Sequence, residues 1–390
     1  MTAHPRLRVA LVGALGKVAA PCHLNVLRTV PNVELFAVCD VEETCLRRLA
    51  QDHGVDRVYL QFADVLADAQ IDVVDLVVPP SMHAEMTIAA ARAGKHVYVE
   101  KPMAHSRSQA LAMIRAAASA RVRLMVGESY YFHGPHRLAR RLVDQDEVGE
   151  VLQVRQSKGP WVFNDSENRR LKGRGHDVPW RVDPRLSGGG EFPWIMDHGP
   201  HLFATARLFA GAAVQSVTAL PRTHGVGPEH HLRGITAISW THSDGVADGI
   251  WSQVETVPEA GRWIGFRTEI LGSQGTIRVF GEGGGAGLGF PQVAPVTLYR
   301  KGQARDFALS EGPDRSWISN NSYYDQAHCS AWGHFADAVL NGQPLEYDGG
   351  SGLEDLTSTL ATIQSAMRKC AIDVSCVDDD WTAFDGLSEV

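Results

Sequence analysis

The sequence lacks an excess of positive charge: 37 Lys and Arg stand against 45 Asp and Glu, for a net charge of −8. No basic field is therefore present to hold a phosphate backbone, and nucleic acid is not expected as a partner. Charge or turn residues break every apolar stretch well before the roughly 20 residues that cross a bilayer, so no membrane partner is expected either. Cysteine is scarce, and Cys22, Cys39, Cys45, Cys329, Cys370 and Cys376 show no CxxC spacing. That usage fits a reduced compartment rather than a disulfide framework. The first residues carry neither the apolar core nor the cleavage site of a secretory leader, and a cytoplasmic location is expected. With 44% hydrophobic and 21% charged residues over 390 positions, the composition excludes fibres and disorder and predicts about two domains with small-molecule ligands. Glycine and histidine are abundant instead, at 38 and 17 residues.

From Leu7 to Val126, short β-rich runs alternate with helical stretches. The runs Leu7–Val12, Val33–Cys39, Val73–Val78, Val97–Val99 and Leu124–Val126 are apolar at nearly every residue, as parallel strands buried on both faces should be. Ser81 is a candidate N-cap for a helix ended by Gly94, and Ser106 with Gln109 forms a capping-box pattern ahead of an alanine-rich run. The alternation predicts a doubly wound, Rossmann-type α/β parallel sheet, with ligands at the carboxyl ends of its strands.

The first strand runs directly into Gly13-Ala14-Leu15-Gly16-Lys17-Val18-Ala19. Small residues in such a turn let backbone N–H groups approach a pyrophosphate at the start of the following helix. The pattern is GxxGxxA rather than GxGxxG, and a tight turn with no ligand would read the same way. Asp40 ends the second strand, where a carboxylate accepts hydrogen bonds from the adenosine ribose hydroxyls of NAD. Glu42 and Glu43 follow, with no basic residue before Arg47. A 2′-phosphate would be repelled there, so NAD is expected over NADP.

Two further strand ends carry Val78-Pro79-Pro80-Ser81-Met82-His83 and Val99-Glu100-Lys101-Pro102. A Rossmann half with these two segments resembles the Gfo/Idh/MocA oxidoreductases, the glucose–fructose oxidoreductase and inositol dehydrogenase family. The resemblance implies that Lys101 reaches the substrate hydroxyl beside the nicotinamide. It also implies that Gly13, Leu15, Gly16, Lys17, Val18, Asp40, Pro79, Pro80, His83, Glu100 and Lys101 form the cofactor site. A fixed ammonium suits this chemistry, because it stabilises a developing alkoxide.

Beyond Gly127 the alternation stops. A helical stretch at Pro135–Gln145 is followed by strand-like segments at Val151–Gln156, Val214–Ala219, Ile235–Trp240, Val246–Val254, Phe266–Leu271, Thr276–Phe280 and Val296–Tyr299. Helical patterns return at His201–Phe209, Ala331–Leu340 and Gly352–Lys369. This predicts a C-terminal α+β domain with a large, mostly antiparallel sheet and helices on one face. The division falls into residues 1–127 for the nucleotide and 128–390 for substrate and oligomerisation. In the family a second subunit covers the other sheet face, which implies a homodimer or homotetramer through the C-terminal sheet.

The stretch Gly159–Met196 has little periodicity and holds Trp161, Trp180 and Trp194. Long ordered loops of this kind are usually functional, and tryptophan presents an apolar face to sugar C–H groups. The same residues serve equally well as plugs that anchor a loop. The stretch closes on Arg181 and a triple glycine, Gly188-Gly189-Gly190, followed by Asp197-His198-Gly199-Pro200-His201. These match the second signature of the family, with Asp197 and His201 at its catalytic positions and a longer spacer, Glu191 to Met196, than its usual pattern. Asp197 could instead be an N-cap, and His201 a satisfied core histidine. Tyr131 stands where many members carry an arginine, which argues against an anionic substrate.

The expected substrate-contact residues are thus Tyr131, Trp161, Trp180, Arg181, Asp197 and His201, with Lys101, Asp197 and His201 catalytic. No metal is expected, since neither Asp197/His198/His201, His230/His231 nor His133/His136 has zinc-ligand spacing. The implied activity is NAD(P)-dependent dehydrogenation of a secondary hydroxyl on a sugar, cyclitol or related polyol. The same residues would serve an enzyme that holds NAD tightly and oxidises only transiently, for glycoside cleavage or epimerisation. A non-catalytic NAD or sugar sensor is the third alternative.

Overall fold

The computed structural model describes residues 6–16, 20–157, 183–221, 235–243, 247–252, 267–280, 293–308 and 322–379. The apolar runs of the first third form six parallel strands: β1 (Leu7–Val12), β2 (Val33–Cys39), β3 (Arg57–Tyr59), β4 (Val73–Leu76), β5 (His96–Glu100) and β6 (Leu124–Gly127). Their order in the sheet is β3-β2-β1-β4-β5-β6. Strand order reverses beside β1, and that switch point is where a doubly wound sheet opens its ligand crevice.

Helix boundaries follow capping chemistry. Ser106 does cap the Arg107–Ala120 helix, its hydroxyl accepting from Gln109 N–H at 3.3 Å. Ser81 is not a cap: the helix is Pro80–Arg92, with Pro79 at the cap position. Pro80 fills the first helical position because its fixed φ suits it and its missing N–H costs nothing there. A further helix, Ala20–Thr29, follows the glycine turn.

The second sheet comprises β7 (Val151–Ser157), β8 (Val214–Pro221), β9 (Ile235–His242), β10 (Asp248–Ser252), β11 (Arg267–Gly272), β12 (Gly275–Phe280), β13 (Val296–Arg300), β14 (Gln303–Phe307) and β15 (Ile372–Asp373). The order is β14-β13-β12-β11-β7-β10-β9-β8-β15, and every pairing is antiparallel except β7 with β10. Its inward rows, including Val154, Val217, Ile238, Trp240, Ile270 and Ile277, are buried. The Pro193–Ala210 and Gly349–Arg368 helices pack on this sheet, and Gln156 donates to the Leu202 carbonyl at 2.9 Å.

The Pro193–Ala210 helix starts two turns earlier than the expected His201–Phe209, with Pro200 inside it. A proline in a helix interior costs about 3 kcal/mol. Here burial of the helix against Gly349–Arg368 overrides that cost, and the contact is so close that a Cβ on Gly199 would lie 2.5 Å from Thr359 Oγ1. Asp197 therefore lies in the helix interior and is not its N-cap.

C-terminal helices also close over the first sheet. Trp332, on the Ser322–Leu340 helix, stacks on Tyr98 of β5 at 4.4 Å between ring centroids, and Cys22 donates to Asp325 at 3.0 Å. None of the six cysteines is in a disulfide. No helix among the described residues is long and apolar enough to cross a membrane.

Candidate functional site

Gly13 has φ +82°, and a Cβ there would stand 2.4 Å from the Val77 carbonyl oxygen, so only glycine fits the turn after β1. Its N–H and that of Ala14 donate to the Cys39 carbonyl at 2.9 and 3.3 Å, and Gly16 N–H donates back to the Gly13 carbonyl at 3.0 Å. Leu15 N–H donates to Asp40 Oδ2 at 2.9 Å, while Val41 N–H donates to Oδ1 at 2.7 Å. Asp40 thus holds the glycine turn to the end of β2. Glu42 caps the Glu43–His53 helix through the N–H groups of Thr44 and Cys45. His83 is fully buried, with ring nitrogens 2.8 Å from the Pro102 carbonyl and 2.9 Å from the Val78 carbonyl, so it ties the ends of β4 and β5 together. That burial pushes its pKa down. Lys17, Val18, Trp161, Trp180 and Arg181 lie outside the described residues.

Strands β5 and β6 end in register, Glu100 opposite Gly127, so the next residues of each, Lys101 and Glu128, leave the sheet side by side. Neighbouring strands are about 4.8 Å apart, and one helical turn rises about 5.4 Å. Two adjacent strand ends can therefore each meet one residue of a helix laid across them, four positions apart. The Pro193–Ala210 helix supplies that pair. Lys101 Nζ lies 2.6 Å from Asp197 Oδ1 and 3.0 Å from the Asp197 carbonyl. His201 Nδ1 lies 2.5 Å from Glu128 Oε1. The Lys101–Pro102 peptide bond is cis. All four side chains are nearly withdrawn from solvent, at 11, 8, 8 and 0% exposure for Lys101, Asp197, His201 and Glu128.

The approach to this helix is made by the triple glycine. Gly188, Gly189 and Gly190 all have positive φ, and side chains at the first two would strike His105 and Met196. Tyr130 stacks on the His201 ring at 4.2 Å, and its N–H donates to Glu128 Oε1 at 3.0 Å. Tyr131 is placed differently: its ring lies 5.2 Å from that of Tyr347, with the Arg137 guanidinium 5.5 Å away over its face. Lys101, Asp197 and His201 are thus brought together, whereas Tyr131 is turned toward another cluster.

Beneath Lys101 lies a buried ionic group that sequence reasoning did not single out. His23 Nδ1 is 2.8 Å from Asp75 and its Nε2 is 3.0 Å from Glu100. Burial opposes a charge on His23, but the two carboxylates outweigh it and raise its pKa to about 10. Burial likewise opposes ionisation of Glu100, yet the bond to His23 and its charge hold Glu100 at about 2. Donor atoms of His23, Glu100 and His328 lie within 4.8 Å of one another, the one such trio among the described residues. Both nitrogens of His23 are already engaged by carboxylates. Burial pushes His328 down to about 3. The signal for this group was Asp75 itself, an acid in the interior of an otherwise apolar strand. Glu128 was also missed, although a carboxylate directly after a buried strand stands where ligands gather.

A separate cavity of about 630 Å³ is lined by Tyr131, Arg137, Arg140 and Arg207, among others, and contains none of the Lys101 group. Three of its four lining arginines are matched by acids, with Arg137 on Glu346 at 2.8 Å, Arg140 on Asp144 at 2.6 Å and Arg207 on Asp355 at 2.6 Å. It is a salt-bridged seam between helices.

Residues 7–128 match the family model described as an oxidoreductase family, NAD-binding Rossmann fold, and residues 136–278 match the GFO/IDH/MocA C-terminal domain. Scyllo-inositol 2-dehydrogenase (NAD+) of Bacillus subtilis is 26% identical over 340 residues, covering 87% of each chain. D-xylose 1-dehydrogenase (NADP+) 2 of Haloferax volcanii is 29% identical over 202 residues, which are 52% of this chain and 57% of that protein. Among solved structures, an oxidoreductase from Agrobacterium radiobacter in complex with NAD+, L-tartaric acid and magnesium superposes with a TM-score of 0.75 at 23% identity, over 95% of this chain and 99% of that one.

Proposed function

The chain belongs to the Gfo/Idh/MocA oxidoreductase family, and from that premise we propose that it transfers hydride between NAD and a secondary hydroxyl of a sugar, cyclitol or related polyol. The observation that carries this reading is the pair of contacts Lys101–Asp197 and Glu128–His201, one helical turn apart at the carboxyl edge of a nucleotide-type sheet. A dehydrogenase needs a cation to steady an alkoxide and a base to take the hydroxyl proton, and this edge offers both. The named activities of the inositol and xylose relatives support a polyol or sugar as substrate.

Residues 1–127 would hold the cofactor and 128–390 the substrate. The glycine turn packs directly against the Val77 carbonyl at the end of β4, which supports placing it at the cofactor crevice. Because the N–H groups from Gly13 to Gly16 are used within the fold, phosphate-facing donors would come from beyond Gly16. Asp40 would hold the ribose hydroxyls, since each carboxylate oxygen keeps acceptor capacity beside its backbone bond. Pro79, Pro80 and His83 shape the β4 end, and Glu100 fixes the backbone at Lys101 by accepting its N–H at 3.2 Å. When bound, NAD supplies the hydride acceptor. On the protein side, the Lys101 ammonium steadies the substrate oxygen, His201 accepts its proton, and Asp197 orients Lys101 and bonds a neighbouring hydroxyl.

An absorbance screen at the NADH band against sugars, cyclitols and glycosides tests the reading. Reduction of NAD by at least one member of the panel is expected; conversion of substrate without net NADH, or no reaction at all, would refute it. Asp40→Ser should raise the NADP-to-NAD ratio of kcat/KM about tenfold or more, because the carboxylate that repels a 2′-phosphate is gone. An unchanged ratio would remove Asp40 from cofactor selection.

A second copy of the chain would cover the open face of the larger sheet. Leu152, Leu220, Ile250 and Tyr299 are exposed on β7, β8, β10 and β13. Light scattering should give a dimer or tetramer, with Ile250→Glu shifting it toward monomer; a monomeric wild type would refute the assembly.

A further inference from the structure

We propose that Glu128 is a positioning residue for the base: it fixes His201 in the tautomer that carries its proton on Nδ1, so that Nε2 exchanges the substrate proton. The inference rests on the reading of Lys101, Asp197 and His201 given above, and adds a group outside the residues the resemblance implied.

The geometry assigns the roles of the two partners. Glu128 Oε1 accepts the Tyr130 N–H at 3.0 Å and faces His201 Nδ1 at 2.5 Å, within a side chain of 0% exposure. An oxygen that receives a backbone N–H is favoured as the ionised acceptor, since hydrogen bonds to the charged form stabilise it. His201 Nδ1 is then the donor. A neutral imidazole that donates from Nδ1 has its lone pair on Nε2, and an imidazolium formed there finds a compensating charge across the ring. Tyr130 locks the same ring from its face at 4.2 Å. Glu128 therefore sets tautomer, orientation and basicity together, the service a buried carboxylate renders to histidine in hydrolytic triads.

The surrounding charges leave this assignment standing. On the helix of His201, Asp197 is held by Lys101 and lies 3.1 Å from His198 Nδ1. The His198 ring is 6.2 Å from that of His201. At the start of the Gly134–Asp144 helix, the His133 and His136 rings lie 6.0 and 5.8 Å from that of Tyr130. Behind Glu128 stand Tyr347 and Asp355, and Asp355 is matched by Arg207 at 2.6 Å and by the Tyr347 hydroxyl at 2.5 Å. Glu128 adds its own negative charge to the effects that raise the pKa of both. The second acid is thus answered by its own arginine, and the His201 ring answers Glu128. In the reaction, the hydroxyl O–H proton passes to Nε2, the carbinol C–H bond breaks with its electron pair leaving as hydride to NAD, and the substrate becomes the ketone.

Glu128→Gln keeps the volume and removes the charge. In the active enzyme, kcat should fall about 10- to 100-fold, with KM changing less than threefold. The acidic limb of the kcat profile should move down by about one pH unit or more, because the imidazolium loses its partner. Glu128→Asp should recover part of the rate. A merely structural role would lower the yield of folded enzyme and leave the pH limb in place. A second readout needs no turnover: histidine-selective NMR of the wild type, with His201→Asn for assignment, should show the Nδ1–H tautomer, and Glu128→Gln should lower the His201 pKa. If no polyol is oxidised but this titration behaves as described, the substrate reading fails and the Glu128–His201 pairing stands. An Nε2–H tautomer in the wild type, or a pKa and pH limb unmoved by Glu128→Gln, overturns the inference.

Discussion

Lys101→Ala should lower kcat by about 10²- to 10³-fold while leaving NAD affinity within a few-fold of wild type. The magnitude is that of removing one preorganised charge from a water-poor site where oxyanion character develops. Lys101 fits that description, being 11% exposed and fixed through two bonds to a single residue, Asp197. Cofactor affinity is expected to survive because the glycine turn and Asp40 are held by bonds that do not involve Lys101. His201→Ala should cost about 10²- to 10⁴-fold for loss of the base, and the double variant should lose less than the product of the two, since the residues act on one proton and one oxygen. Stopped-flow turnover and NAD titration decide the matter: near wild-type rates in Lys101→Ala, or an equal loss of NAD binding, would sink the assignment. Lys101→Arg is not a conservative rescue, because a planar guanidinium does not reproduce a point charge on a carboxylate and a carbonyl of one residue.

The parallel sheet was legible because burial on both faces writes itself into a sequence as unbroken apolar runs. The strands that escaped notice are those without such burial. β3 is a three-residue edge strand, and β14 reads Gln-Ala-Arg-Asp-Phe with four of its five residues exposed. The helix that carries Asp197 and His201 was found only in its second half. Gly199-Pro200 looks like a break, and what overrides it is a tertiary contact with Thr359, 160 positions along the chain. The candidate catalytic residues Lys101, Asp197 and His201 were legible from motifs, whereas Glu128, the partner of His201, and the buried His23 group were not. Glu128 and His201 are 73 positions apart, and His23 and Glu100 are 77 apart. The register of β5 with β6 and the crossing of the Pro193–Ala210 helix bring the first pair within bonding distance, and the placement of the Ala20–Thr29 helix beside β5 brings the second, and none of these is a local property of the sequence.

Replacing His23 should destabilise the protein more than any other single change near the site. The imidazole stands between Asp75 and Glu100, and all three are buried. Breaking a buried ion pair by deleting one partner typically costs about 3–5 kcal/mol, because it strands the opposite charge. Asp75 has its acidity weakened by complete burial despite the imidazolium 2.8 Å away. Glu100, which also accepts the Lys101 N–H, is held at about 2 and is the carboxylate whose charge answers His23. His23→Leu should therefore fall in that range, and His23→Gln, which can still bond one carboxylate, somewhat below it. The pH dependence separates charge from packing. With a folded pKa of about 10 against an ordinary 6.5, His23 contributes stability that is complete below pH 6.5 and lost as pH rises through about 10. Glu100, at about 2 against 4.5, contributes stability that is present above pH 4.5 and lost as pH falls through about 2. The gap in melting temperature between wild type and His23→Gln should thus be widest at pH 4.5–6.5 and narrow steadily toward pH 10. A gap that stays constant across that range would mean that His23 is held neutral and acts by shape alone. Lys101 follows Glu100 directly in the chain, so the same variant should also raise KM or lower kcat before it unfolds the protein, which ties the buried ion pair to the ammonium on the opposite side of the strand end.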